Sequence, residues 1–243
     1  RRLWPALLLL LAPLLLLAPS ALGACTDAEA ACFGWVAENA SSRCFSDDVV
    51  AASCARSCRL CGEPLDPKFE LSRLPSPLAP LAFLVGIWRS EFGGKAFFPT
   101  IPRFTYGEQI EFSISDEKAG RMPSLNYTAF AWDPNDMVET HSESGYVIMG
   151  GESEDGVPIA ELTTAMSNGF MTEEVGEVGT NQVRFQLERI GRISFSHDSA
   201  VRTMYRDWTL LDPDHLEARL QMTTTVTRKI MEHIAVVYRR ILP

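Results

Sequence analysis

From about residue 78 to its C-terminus the chain is a succession of short β-rich stretches, several alternating apolar and polar, separated by turn residues. The stretches are Glu108–Ser115, Ser124–Trp132, Glu139–Met149, Ile159–Met166, Gly169–Glu177, Gln182–Phe195, Val201–Leu211, Leu216–Val226 and Met231–Ile241. Between them stand Asp133-Pro134-Asn135-Asp136, Gly150-Gly151, Asp155-Gly156, Ser167-Asn168-Gly169, Gly179-Thr180-Asn181 and Asp212-Pro213-Asp214. A period of two, broken at near-regular intervals by such residues, specifies antiparallel strands joined by tight turns. Ahead of them, Ala82–Trp88 reads as a short helix or plug leading into a first strand. About ten strands in all predict an up-and-down barrel or a sandwich. A barrel of this size can enclose one ligand.

The cysteines are equally constraining. All six lie between Cys25 and Cys61, so the strand-rich part must be held by its core alone. Residues 1–23 carry Arg1 and Arg2, the apolar run Leu7–Ala12 and Leu14–Ala18, and the small-residue end Ala21-Leu22-Gly23. This predicts a secretory signal peptide cleaved after Gly23, and hence a secreted, extracellular protein. Pro13 interrupts the run, which is short for a membrane span. In an oxidising compartment an even number of closely spaced cysteines points to three disulfides. Zinc is the competing reading, because Cys58-x-x-Cys61 has ligand spacing. Residues 62–77 carry Pro64, Pro67, Pro75 and Pro77 and are expected to form a semi-extended spacer. The expected organisation is therefore a signal peptide over 1–23, a cysteine-rich module over 25–61, a linker over 62–77 and an all-β domain over 78–243.

Charge and composition narrow the function. With 22 Lys and Arg against 31 Asp and Glu, the net charge is −9, which argues against nucleic acid as a partner. No segment after the signal is apolar enough to insert in a membrane. A hydrophobic content of 46% excludes a wholly disordered chain. No Ser-His-Asp order, phosphate-cradling glycine loop or His-x-Glu zinc motif is evident. Four histidines remain. His197 and His215 stand in turn sequences and read as solvated. His141 and His233 stand in strands. Alternation puts Met231, His233, Ala235 and Val237 on one face and Ile234, Val236 and Tyr238 on the other. Both faces are apolar, so spacing leaves the inward one open. Taken alone, a strand histidine is more often hydrogen-bonded than ligating.

The cysteine pattern is Cys25-x6-Cys32-x11-Cys44-x9-Cys54-x3-Cys58-x2-Cys61. With the Cys-x-Asp start at Asp27, the Cys-x-x-Trp at Trp35 and the Ser-Cys-x-x-Cys end, it resembles the ShK toxin-like (ShKT) domain. The resemblance implies the bridges Cys25–Cys61, Cys32–Cys54 and Cys44–Cys58. Channel-blocking members carry a Lys-Tyr pair where Asp48 and Val49 stand here. The module is therefore expected to engage an extracellular protein rather than plug a pore.

A second resemblance covers 78–243. Its motifs occur in order: Pro77-Leu-Ala-Pro-Leu-Ala-Phe-Leu-Val-Gly-Ile-Trp88, Phe98-Pro-Thr-Ile101, Phe104-x-Tyr106-x-Glu108, Leu125-x-Tyr127, His141-Ser-Glu-Ser-Gly-Tyr146, Arg192-Ile-Ser-Phe195 and Glu232-His-Ile-Ala-Val-Val-Tyr238. The set resembles nitrobindin, the THAP-associated haem-binding barrel family. It implies an all-β fold, a ten-stranded antiparallel fatty-acid-binding-protein/lipocalin-like barrel, here preceded by the small disulfide-rich ShKT module. It further implies b-type haem with His233 as the iron's axial ligand, Thr100 in contact with the haem, and His141 on the distal side in a catalytic role. The implied chemistry is that of ferric haem with nitric oxide and peroxynitrite, isomerising the latter to nitrate. Small reactive nitrogen species would then be its partners. Two departures stand out. The family's Gly-x-Trp-x-Gly-x-Gly reads here as Gly86-Ile-Trp88 followed by Arg-Ser-Glu-Phe-Gly-Gly, and Phe98 replaces a Tyr. Trp88 itself reads as a structural residue closing the barrel bottom. The alternatives are a non-enzymatic extracellular carrier of an apolar ligand, and an interaction protein dominated by the ShKT module. Asn39 and Asn126 head glycosylation sequons.

Overall fold

The computed structural model describes residues 27–29, 31–32, 48–54, 57–58, 65–98, 102–115, 122–196 and 199–242. The chain divides into two compact units, Arg1–Glu63 and Pro64–Pro243.

In the first unit a short helix, α1, runs Asp48–Ser53. Cys54 at its end is bonded to Cys32, and with Val50 the pair forms a small buried cluster. Asp27 holds the following turn. Its carboxylate accepts the Ser57 backbone N–H at 2.9 Å and the Ser57 hydroxyl at 2.6 Å. Cys58 is also disulfide-bonded. Cys25, Cys44 and Cys61 lie outside the described residues.

The second unit is all-β. Its strands are β1 (Gly86–Ala96), β2 (Phe104–Ile114), β3 (Ser124–Trp132), β4 (Glu139–Glu152), β5 (Pro158–Met166), β6 (Phe170–Gly179), β7 (Gln182–Arg192), β8 (Val201–Asp212), β9 (His215–Thr224) and β10 (Met231–Leu242). Each pairs antiparallel with its neighbour in sequence, and β1 pairs with β10 to close the barrel. Closure removes the exposed edges that an open sheet would present. The expected ten-stranded barrel is thus observed. The alternation read from the sequence is its wall: β6 buries every second residue from Phe170 to Val178.

The core fills one end of the barrel. Trp88, Ile110, Phe112, Leu125, Leu162, Phe185 and Trp208 interdigitate there. Part of the expected spacer belongs to this core. Residues Pro67–Phe69, Leu71–Arg73 and Ser76–Leu81 form short 3-10 turns, and Phe69, Leu78 and Leu81 are buried. Proline bars a central strand but is accepted in the first turn of such a helix, so the apolar residues between the prolines can still dock. Trp88 closes this end, as its position suggested. Its indole N–H donates to the Leu84 carbonyl at 2.7 Å, and the Arg240 guanidinium lies 4.1 Å from the ring centroid. Arg240 also donates to the carbonyls of Val85, at 3.3 Å, and Pro213, at 2.8 Å. The last strand thereby fastens the entry of the first.

Candidate functional site

The other end of the barrel is hollow. The cavity measures about 470 Å³ and is lined by Phe98, Phe104, Met166, Phe170, Met204, Met222, Ile234 and other side chains. That volume is within the range of small-molecule and cofactor pockets. Between it and the core lies a band of polar side chains.

His233 belongs to the cavity wall because of a fault in the strand. On the β9 side of β10, Glu232 pairs with Gln221 and Ile234 with Leu220, leaving His233 as the extra residue of a bulge. A bulge shifts the phase of alternation and re-aims a side chain. His233 and Ile234 both line the cavity in consequence, so the two faces assigned from spacing are not separate at this point. His233 is fully buried. Its Nδ1–H donates to the Met231 carbonyl at 2.8 Å, while Nε2 has no hydrogen-bond partner. The Phe98 ring packs on the imidazole, with centroids 5.6 Å apart. A neutral histidine whose Nδ1 is the donor leaves a lone pair on Nε2, and a buried lone pair without a partner is costly. This donor set suits an axial ligand of haem iron, where a backbone carbonyl commonly fixes the tautomer from the far side of the ring.

The polar band was not read from the sequence as a site. Arg206 on β8 lies at its centre. Its Nε donates to Glu174 Oε2 at 3.0 Å, Nη2 to Glu174 Oε1 at 3.3 Å and Nη1 to Glu143 Oε2 at 3.1 Å. The Tyr127 hydroxyl donates to Glu143 Oε2 at 3.2 Å, and the Thr172 hydroxyl donates to Glu174 Oε1 at 2.7 Å. His141 Nε2 faces Glu143 Oε1 at 3.2 Å. On the far wall the Tyr238 hydroxyl donates to Glu108 Oε2 at 2.6 Å. Tyr106 has a buried hydroxyl that faces Glu108 without a close hydrogen bond.

The electrostatics divide the carboxylates. Burial pushes Glu108 up to about 7; the Tyr238 hydrogen bond opposes that and the negative charge of Glu143 adds to it. Burial would raise Glu143 as well, but the Arg206 charge and the His141 contact outweigh it and bring Glu143 down to about 2. Burial lowers the His141 pKa, but the hydrogen bond and charge of Glu143 win and raise it overall. The signal for this band was available. Arg206 sits between Met204 and Trp208 in strand alternation, and Glu174 shares the parity of Thr172 and Val178. Charged residues on an otherwise inward-facing row mark an interior network.

The structure therefore brings His141 and His233 to one cavity. Thr100 and His197 lie outside the described residues. His215 begins β9 and contacts Asp212 at 2.9 Å in an exposed turn. Neither displaced glycine of the first strand is idle. The Gly93 backbone N–H donates to the Ser90 hydroxyl oxygen at 3.1 Å. Gly94 is paired with Tyr106, whose ring lies where a Cβ on Gly94 would stand, with Cζ 2.6 Å from that point.

A closed antiparallel barrel with a histidine-bearing interior cavity defines a small ligand-holding barrel. The chain belongs to the family described as the THAP4-like, heme-binding beta-barrel domain, whose model matches residues 77–240. It is 57% identical over 224 residues to the uncharacterized protein C28H8.5 of Caenorhabditis elegans, covering 90% of this chain and 74% of that one. It is 27% identical over 179 residues to peroxynitrite isomerase THAP4 of Rattus norvegicus, covering 74% of this chain and 30% of the rat protein. The crystal structure of Rv2717c from M. tuberculosis superposes with a TM-score of 0.57 at 28% identity, covering 69% of this chain and 98% of that one.

Proposed function

We propose that the barrel binds b-type haem through His233 and isomerises peroxynitrite to nitrate, in a secreted protein whose N-terminal module is of ShKT type. The observation that carries the haem reading is the unpartnered Nε2 of His233, buried in the cavity wall with its tautomer set by the Met231 carbonyl. The name of the rat relative, peroxynitrite isomerase, supports the reaction. The signal-like residues 1–23 support secretion, and the Cys32–Cys54 bridge with the Asp27–Ser57 contacts supports the module.

When bound, the haem would supply a ferric iron able to take up a small ligand. The chain supplies the rest. His233 Nε2 would hold the metal, the Met231 carbonyl keeps the proton on Nδ1, and the Phe98 ring restrains the imidazole plane. Thr100 is assigned to the haem contact. Glu143 raises the His141 pKa against the effect of burial, and in its protonated form His141 would orient an anion entering the cavity. Arg206 does not serve that purpose, because two carboxylates already neutralise it.

Haemin titration of the full chain, followed at the Soret band, tests the reading. Wild type is expected to bind and His233→Ala to lose most of its affinity while keeping its β circular dichroism. His141→Ala is expected to keep the haem and to slow peroxynitrite decay. No binding by wild type would leave the carrier reading in its place.

A further inference from the structure

Glu108 is a half-buried carboxyl group on the cavity wall that the reading above does not use. Its Oε2 accepts the Tyr238 hydroxyl at 2.6 Å, and no hydrogen bond to Oε1 is present among the described residues. The buried Tyr106 hydroxyl faces Glu108 but makes no close hydrogen bond. Glu108, Tyr106 and Tyr238 line the same cavity as His233. Hydrogen-bonding capacity is therefore left over on this wall, where buried polar atoms are ordinarily satisfied.

Charge gives that surplus a direction. The polar band holds Glu143 and Glu174 against Arg206, with His141 at its edge. An anion entering the cavity adds a negative charge to an interior where like charges are screened weakly. The cheapest relief is one more proton on a carboxylate. Arg206 holds the Glu143 pKa low and already occupies both oxygens of Glu174, which leaves Glu108.

We propose that Glu108, framed by Tyr106 and Tyr238, is a proton-linked site: a small inorganic anion held in the cavity is bound together with one proton carried on Glu108. The proton is taken from solvent as the anion enters and returned as it leaves, and no bond of the anion is made or broken in this step. The groups that face Glu108 are Tyr106 on its own strand, Tyr127 on β3, His141 and Glu143 on β4, Arg206 on β8 and Tyr238 on β10. Burial and the Glu143 charge bring Glu108 to about 7, so the uptake falls in an accessible pH range. The proposal rests on the reading that the cavity holds haem.

The test is sodium azide titration of the full chain loaded with ferric haemin, followed at the Soret band from about pH 6 to about pH 9. One linked proton weakens wild-type azide affinity by up to about tenfold per pH unit above the break. Glu108→Gln is expected to flatten that slope. Tyr238→Phe removes a hydrogen bond that favours the carboxylate and is expected to move the break to higher pH. His141→Gln is expected to weaken azide overall but to keep the share of the slope that Glu108 carries. Equal slopes in wild type and Glu108→Gln, or a slope lost only in His141→Gln, would overturn the proposal while leaving the haem reading intact. Failure of every protein to take up haemin would remove the haem reading, and this proposal with it.

Discussion

Arg206 and Glu174 form a two-pronged ion pair inside the barrel, Nε to Oε2 at 3.0 Å and Nη2 to Oε1 at 3.3 Å, with Glu174 wholly buried. A desolvated pair of this kind adds little over a well-packed apolar pair, but removing one member strands the other. Glu174→Ala is expected to lower unfolding free energy by about 3–5 kcal/mol in urea denaturation. Arg206→Met should cost at least as much, because it strands Glu143 as well as Glu174. The double variant Arg206→Met/Glu174→Leu should recover part of the loss. Additive losses would mean that the two residues are not coupled.

Two interior glutamates pull the pH profile of stability in opposite directions. Glu143 is held down at about 2 against an ordinary 4.5, so its contribution is present above pH 4.5 and lost as pH falls toward 2. Glu108 is raised from 4.5 to about 7, so the folded state binds its proton more tightly. Its contribution is full below 4.5 and is lost as pH rises to about 7. Each shift corresponds to roughly 3 kcal/mol before relaxation is allowed for. Stability is expected to rise from about pH 2 to about pH 4.5 and then to decline toward neutrality. Glu108→Gln should remove the decline and leave the acid limb in place. Denaturation midpoints measured across this range in both proteins decide it.

The fold was legible because a strand records burial in its period, and β3 begins and ends where its apolar alternation does, at Ser124 and Trp132. The first two strands were harder. Phe104–Gly107 extends β2 ahead of its expected start at Glu108, and β1 is interrupted by a register shift between Ser90 and Gly94. The site was legible only in its residues. His233 and His141 stood out as histidines within strands, but the bulge that turns His233 inward leaves no trace in a period of two. Arg206, Glu143, Glu174 and Glu108 come from four strands distant in sequence, and only barrel closure brings them together. Arg240 was invisible for the same reason, because its partner Trp88 lies at the opposite end of the domain's sequence.

That contact carries a prediction of its own. Arg240→Ala removes a cation–π contact of about 0.5–2 kcal/mol and hydrogen bonds worth about 1 kcal/mol each. A loss of about 2–3 kcal/mol is expected, with the cavity at the other end unaffected. Lysine at the same position should rescue only part, since it cannot lie flat on Trp88 and reach the Val85 and Pro213 carbonyls together. Equal stability of the alanine variant and wild type in thermal denaturation would show that the core alone closes the barrel.

The separation of the cysteines from the barrel predicts how the chain responds to reductant. Residues 62–243 contain no cysteine, so nothing covalent holds the ten strands. Among the described residues of the module, the Cys32–Cys54 bridge packs with Val50 in a small buried cluster. A module of this length depends on its staples. Mild reduction of the full chain is expected to make 25–61 sensitive to protease while the barrel keeps its β circular dichroism and its midpoint in denaturant. A drop in that midpoint would show that the barrel draws stability from the module.

Gly94 offers a test of how tightly the cavity wall is set. A methyl group there would stand 2.6 Å from the Tyr106 ring, closer than any such contact can be, so the ring must move. Tyr106 lines the cavity, so displacement of its ring into that space is the expected response. Gly94→Ala is therefore expected to cost about 1–3 kcal/mol by overpacking and to weaken haemin uptake by narrowing the space beside His233. Gly179 at the end of β6 is the control. Its Cβ would meet only the Gln182 carbonyl at 3.9 Å, an ordinary contact, so Gly179→Ala should change neither quantity much. Adding Tyr106→Ala to Gly94→Ala removes the clashing ring and should restore haemin uptake more than it restores stability, because the lost ring was itself packed against Ala96 and Ala131. Haemin affinity in Gly94→Ala equal to wild type would mean that the Tyr106 ring can yield without entering the cavity.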